Sequence, residues 1–232
     1  MPRQEVWRCL REKMAPEKYI RLIQEMYRNV EATVRSCVGE TESLHVKVGL
    51  HQGSALSPLL FNVVMEVMTE NVRERAPWSM MYADDVVLCA ETKEELEQKL
   101  EAWRKALEDR GMKISRTKTE YLQLSTHMND NEDIVLDGEI IKKVERFKYL
   151  GSLVEETGNV EGEIKCRIQS GWKNWREMSG VLCDRKVPIK LKGKVYKTAV
   201  RPAMLYGIET LPVKKANENR LNVAEMKMLQ WM

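Results

Sequence analysis

Aspartate is absent from the first 83 residues, and phenylalanine occurs only twice in the 232-residue chain. The five cysteines (Cys9, Cys37, Cys89, Cys166 and Cys183) are odd in number and widely spaced, with no Cys-x-x-Cys. That pattern argues against a disulfide framework, a disulfide-linked partner and a cysteine zinc site. Only three histidines are present, His45, His51 and His127, and they lack metal-ligand spacing. No apolar run reaches membrane length and no signal peptide is visible. The expectation is an intracellular protein, nuclear or cytoplasmic, without a membrane partner. Net charge is only +3, so no whole-molecule electrostatic argument holds.

What is present is globular: 43% hydrophobic and 31% charged residues, with length enough for one large domain or two small ones. Val6, Leu10 and Met14 recur at helical spacing; Pro16 breaks the run before a second helix carrying Ile20, Ile23 and Tyr27. Two alternating strands are predicted next, one with Val34, Ser36 and Val38, the other running from Leu44 to Leu50. Ser57 and Pro58 read as N-cap and first residue of a helix with Leu60, Val64, Val67 and Met68 inward. Thr92 and Glu95 form a capping box for a helix that Gly111 stops. Asp137-Gly138 marks a tight hairpin turn. From residue 158 onward the pattern is mostly helical. The fold class is therefore α+β, with an α+β domain at 1–157 and a helical region at 158–232.

Between Arg185 and Ile208 there is no acid, while Lys190, Lys192, Lys194, Lys197 and Arg201 are basic. Such a segment is either a solvated helix face or a track for a phosphate backbone. Tyr82-Ala83-Asp84-Asp85 lies between the apolar runs Met80-Met81 and Val86-Val87-Leu88. Adjacent carboxylates among apolar strands repel each other, and a bound divalent cation relieves the repulsion. A plain polar turn closing a hairpin is the competing reading.

The order of blocks goes further than any one of them. Gln52-Gly53-Ser54-Ala55-Leu56-Ser57-Pro58-Leu59-Leu60-Phe61 precedes the acids; Lys118-Thr119-Glu120 and Tyr149-Leu150-Gly151 follow them. In this order the chain resembles the reverse transcriptases of non-LTR (LINE-like) retrotransposons. Leu205-Tyr206-Gly207-Ile208-Glu209-Thr210 matches the thumb side of the same family. The resemblance implies a polymerase palm and thumb acting on an RNA template and a DNA primer, or their hybrid. Asp84 and Asp85 would be catalytic magnesium ligands in a two-metal site. Gln52, Gly53, Tyr82 and Lys118 would contact nucleotide or template, with a surface lysine the alternative at 118. Tyr149, Leu150 and Gly151 would grip the primer, with core packing the alternative for the first two.

One part of the pattern is missing. Consecutive strand residues face opposite ways, so this chemistry needs a carboxylate from a separate strand. The family has an apolar strand ending in Asp shortly before a Pro-Arg pair; here Pro2-Arg3 directly follows Met1. The expectation is a truncated, catalytically incomplete copy without fingers or endonuclease, or a non-catalytic nucleic-acid-binding remnant.

Overall fold

The computed structural model describes residues 1–124 and 133–232. His127 and most of the polar segment before Ile134 lie outside the described residues. Two compact units emerge, residues 1–119 with 133–141 and residues 120–124 with 142–232. The division comes after Thr119, earlier than the 157 that the sequence pattern suggests.

The first unit is built on α1 (Arg3–Glu12), α2 (Glu17–Met26), α3 (Ser57–Thr69) and α4 (Lys93–Glu108). Both α1 and α2 start directly after a proline, whose fixed φ suits a helix entry. Val6 and Leu10 of α1 meet Ile20 and Tyr27, and Leu60, Val64, Val67 and Met68 of α3 close the core with Trp103 and Leu107 of α4. Met14, predicted to be inward, is instead 86% exposed: it leaves the helix with φ +58 to turn toward Pro16. Thr92 Oγ1 accepts from the Glu95 N–H at 3.3 Å, as the capping box requires. The Glu95 carboxylate reaches one residue further back, to the Glu91 N–H. At the other end Gly111 turns at φ +80, and a Cβ there would lie 2.7 Å from the Pro2 ring.

Between α2 and α3 the expected pair of long strands is a single exposed hairpin. Its pieces are β1 (Glu31–Ala32), β2 (Arg35–Ser36), β3 (Gly39–Glu40) and β4 (Leu44–His45). β1 pairs with β4 and β2 with β3, so the turn falls at Cys37-Val38. Val34, Val38 and Leu44 all face solvent, because no second layer covers either side among the described residues. Further on, β5 (Ser79–Tyr82) pairs antiparallel with β6 (Asp85–Leu88). β7 (Glu120–Tyr121) belongs to the second unit. β8 (Val135–Leu136) and β9 (Glu139–Ile140) return to the first unit as the predicted hairpin, with Asp137 and Gly138 both at positive φ.

In the second unit β7 runs parallel to β10 (Lys142–Lys143). β11 (Arg146–Tyr149) and β12 (Ser152–Glu155) form a hairpin closed by Leu150-Gly151, again with both turn residues at positive φ. This hairpin is fastened to α5 (Glu161–Glu177) by a buried ion pair. Glu163 accepts from Arg167 Nε and from the Leu153 N–H at 2.8 Å; Arg167 Nη2 donates to Ser152 Oγ at 3.1 Å. A pair so buried survives because the second carboxylate oxygen and Arg167 Nη2 are also bonded. After α6 (Ser179–Leu182) and α7 (Ile189–Val195), residues 196–200 form a π-helical turn before α8 (Arg201–Leu205). Pro202 brings no N–H and crowds the preceding turn, which is what widens it. The Ala199 carbonyl there accepts from Asn174 Nδ2 at 2.9 Å. α9 (Lys215–Gln230) completes the core through Leu221, Ala224 and Met228, while Trp231 is 70% exposed.

α5 and α8 approach closely at Gly171, where an added Cβ would stand 2.2 Å from Met204 Cγ. Gly171→Ala should therefore lower the unfolding free energy by about 1–3 kcal/mol. Gly180→Ala, with open space around it, should be neutral or slightly stabilising. Paired urea denaturation curves check the contrast; equal effects of the two would contradict this packing.

Candidate active site

The acidic hairpin is anchored at its root and loose at its tip. Ser79 Oγ donates to the Glu74 carbonyl at 2.7 Å and accepts from the Glu74 N–H at 2.8 Å. Lys99 Nζ donates to the Cys89 carbonyl, pairs with Glu74 and Glu95, and lies 5.2 Å from the Trp78 ring. Tyr82 and Asp85 are the last paired residues, which leaves Ala83-Asp84 as a two-residue turn. Ala83 takes φ +54, a conformation that glycine or asparagine adopts more readily. Tyr82, Asp84 and Asp85 are all exposed. The acids are thus not buried between the apolar strands: the apolar residues lie along the stem, and the carboxylates project from its end.

A second element meets the hairpin. The segment 49–54 turns at Gly49 (φ +79) and Gly53 (φ +82) before α3 begins. Arg3 holds its start, donating from Nε to the Gly49 carbonyl at 3.3 Å and from Nη1 to the Tyr27 carbonyl at 2.8 Å. The same guanidinium lies 5.0 Å from the Tyr27 ring, on which the His51 imidazole stacks at 4.0 Å. Ser57, expected as an N-cap, is already helical; Leu56 takes the cap position. The Ser57 hydroxyl faces backward and donates to the His51 carbonyl at 2.6 Å. Two buried polar atoms beside this stack, Arg3 Nη2 and His51 Nε2, have no hydrogen-bond partner among the described residues.

Together these pieces enclose an open cleft of about 930 Å³. Gln52, Gly53 and Tyr82 line it, as do Ala83, the start of α3, Asn62, Glu66 and Arg73. Lys13, at 2.9 Å, holds the Glu66 carboxyl below the usual carboxylate range. Arg73, an exposed cation in the segment after α3, has no sequence pattern that would have marked it; nor did the Arg3–Tyr27–His51 stack. Lys118 does not line the cleft. It sits in a turn closed by the Thr119 N–H and hydroxyl on the Ser115 carbonyl.

In the second unit Tyr149, Leu150 and Gly151 form the tip of the β11–β12 hairpin, where Phe147 stacks on Tyr149 at 6.4 Å. Of the five basic residues singled out at 190–201, two are engaged. Lys192 is buried, its Nζ donating to the Met232 carbonyl, and Arg201 pairs with Glu225 at 3.3 Å. Lys190, Lys194 and Lys197 are exposed, at a spacing that aligns them on one helical face.

Asp84 and Asp85 offer hard oxygen donors suited to a divalent cation. Among the described residues no third His, Cys, Asp or Glu joins them as a metal-holding group. The pair fits one side of a cation and does not by itself make a two-metal site.

Residues 1–154 match the family model for reverse transcriptase (RNA-dependent DNA polymerase). The chain belongs to the reverse transcriptase family. Its curated relatives point to the non-LTR type. Over 67% of its length it is 28% identical to the "Retrovirus-related Pol polyprotein from type-1 retrotransposable element R2" of Nasonia vitripennis, covering 17% of that relative. The corresponding R2 polyprotein of Popillia japonica is 24% identical over 81% of the chain, covering 32% of the relative. The "RNA-directed DNA polymerase from mobile element jockey" of Drosophila melanogaster is 23% identical over 80% of the chain, covering 22% of the relative. The chain thus spans less than a third of the length of each of these relatives. No helix among the described residues is long and apolar enough to cross a membrane.

Within this domain Arg3 ties the start of segment 49–53 to the helical core. Arg3→Met keeps the stem and removes both donors, which should cost about 1.5–3 kcal/mol. Amide hydrogen exchange at residues 49–53 should speed up relative to α4. Unchanged exchange there would remove Arg3 from this role.

Proposed function

We propose that residues 1–232 are the partial palm (1–157) and thumb-like region (158–232) of an RNA-directed DNA polymerase of a non-LTR retrotransposon, acting inside the cell. The observation that carries this is the cleft itself: the residues of two separate family blocks, Gln52-Gly53 and Tyr82-Ala83, line one open space with the acidic turn at its edge. Gln52 offers both a donor and an acceptor, and Gly53 at positive φ presents backbone without a side chain in the way. These two would hold nucleotide or template, and Tyr82 would lie against the primer end. Lys118 would approach the triphosphate from its exposed turn. Tyr149, Leu150 and Gly151 would support the primer on a strained hairpin tip.

Asp84 and Asp85 would hold magnesium, which when bound neutralises nucleotide phosphates and activates a primer hydroxyl. A lone pair of carboxylates leaves such a site half built. Losing a principal ligand costs several kcal/mol of transition-state stabilisation, and each 1.36 kcal/mol is tenfold in rate. Polymerisation by residues 1–232 alone is therefore not expected.

A second reading draws on a separate observation. Lys190, Lys194 and Lys197 leave an exposed stripe with no ion-pair partner among the described residues, which suits binding of a nucleic-acid backbone without chemistry. Neutralising about three phosphates gives a salt slope near −3 in a log–log plot of affinity.

Two measurements on the purified chain test these readings. An RNA–DNA hybrid should bind with a slope of about that size, reduced toward zero by the triple Lys→Gln variant at 190, 194 and 197. Absent or salt-insensitive binding would overturn the nucleic-acid reading. Primer extension on an RNA template with magnesium should give no product. Robust extension lost in Asp84→Asn would confirm the polymerase and overturn its incompleteness.

A further inference from the structure

We infer that the outer face of α2 is a contact surface for a second copy of this chain, the two α2 helices pairing antiparallel about a two-fold axis beside Leu22. α2 enters the core along one side. Ile20 and the C-cap residue Tyr27 are buried, and Tyr27 meets Trp7 of α1 with ring centroids 5.8 Å apart. A second apolar line on the same helix reaches solvent: Tyr19, Leu22 and Met26 are each more than half exposed. At 3.6 residues per turn these three fall within an arc of about 60°. Single exposed apolar side chains are ordinary, but three aligned over two turns mark a contact surface.

The charges beside this line say what covers it. Lys18 and Glu25, both exposed, stand seven residues apart on the flank that faces away from the core. Lys18 has no ion-pair partner among the described residues. Glu25 touches Arg28 at 3.3 Å, with both side chains largely in solvent, a contact of little strength. When a second copy is turned end for end about Leu22, residues whose numbers sum to about 44 face each other across the two-fold axis. Lys18 then lies across from Glu25 of the second copy, and Glu25 across from its Lys18. Tyr19 meets Met26 twice, a favourable sulfur–aromatic pairing, and Leu22 meets itself on the axis. A parallel pair of helices matches neither charge. An unrelated protein would require no such match within one ten-residue helix. A surface that complements itself is what an isologous dimer needs.

The inference uses neither Asp84 nor the acidic cleft, and it stands or falls apart from the polymerase reading. Sedimentation equilibrium of the whole chain tests it, with reductant present because Cys37, Cys166 and Cys183 are exposed. Loading from about 5 to 500 µM spans the affinities of small interfaces and should show a monomer–dimer equilibrium. L22E places two carboxylates together on the axis and should leave only monomer, with its thermal transition kept because Leu22 is exposed. K18E and E25K each set like charges against each other twice, and each should weaken dimerisation about tenfold. Both substitutions suit the helix dipole, an acid near the N-terminus and a base near the C-terminus, so α2 itself should persist. An equimolar mixture of K18E and E25K should recover wild-type affinity, because both cross-pairs in the mixed dimer are again of opposite sign.

A chain that stays monomeric over the whole range would overturn the inference and leave the face to a different protein. A dimer indifferent to L22E would place the contact elsewhere and overturn it as well. So would a mixture that fails to recover association after both single variants have lost it, since antiparallel two-fold pairing requires that recovery.

Discussion

The guanidinium of Arg3 is the tie on which the acidic cleft depends. From the first turn of α1 it reaches the carbonyls of Gly49 and Tyr27 and lies against the Tyr27 ring that carries His51. One rigid planar group thereby joins α1, the end of α2 and the start of the segment that presents Gln52 and Gly53. Arginine suits the position because its fork bonds two carbonyls at once while its face meets an aromatic ring. A lysine would have to choose between them. The Ser57 hydroxyl, turned back onto the His51 carbonyl, fixes the other end of the segment to α3.

Two hairpins repeat one device. The turns Ala83-Asp84 and Leu150-Gly151 each contain a non-glycine residue at positive φ, Ala83 at +54 and Leu150 at +49. Such residues cost of order 1 kcal/mol and persist where surrounding structure enforces them. The enforcement is visible in both cases: buried Ser79 and the Lys99 cluster grip the first stem, and the Glu163–Arg167 pair grips the second. These are also the turns of the Tyr-Ala-Asp-Asp and Tyr-Leu-Gly blocks, one in each compact unit of this reverse transcriptase chain.

Much of this was legible in the sequence because local rules act there without competition. The α3 stripe, the Thr92 cap, the Gly111 stop and the Asp137-Gly138 turn each follow from periodicity or backbone preference alone. The misses come from what local pattern leaves out. Val34, Val38 and Leu44 alternate like a buried strand, but alternation says nothing about whether a second layer exists to bury them. Lys192 and Arg201 looked free because the Met232 carbonyl and Glu225 lie far along the chain. Ser57 has the right residue type and place for a cap, yet the His51 carbonyl offers its hydroxyl a better partner. Arg3, Tyr27 and His51 carry no motif at all; only the fold brings them together.

The central proposal is that Asp84 and Asp85, exposed at the edge of the cleft, hold a cation in an incomplete site. Iron(II) in place of magnesium, with peroxide and ascorbate, cleaves backbone only near the bound ion. The account predicts cuts confined to the neighbourhood of residues 82–86 and of segment 49–54, saturating at high iron concentration and lost in D84N/D85N. Cleavage elsewhere, or cleavage indifferent to that double substitution, would contradict it.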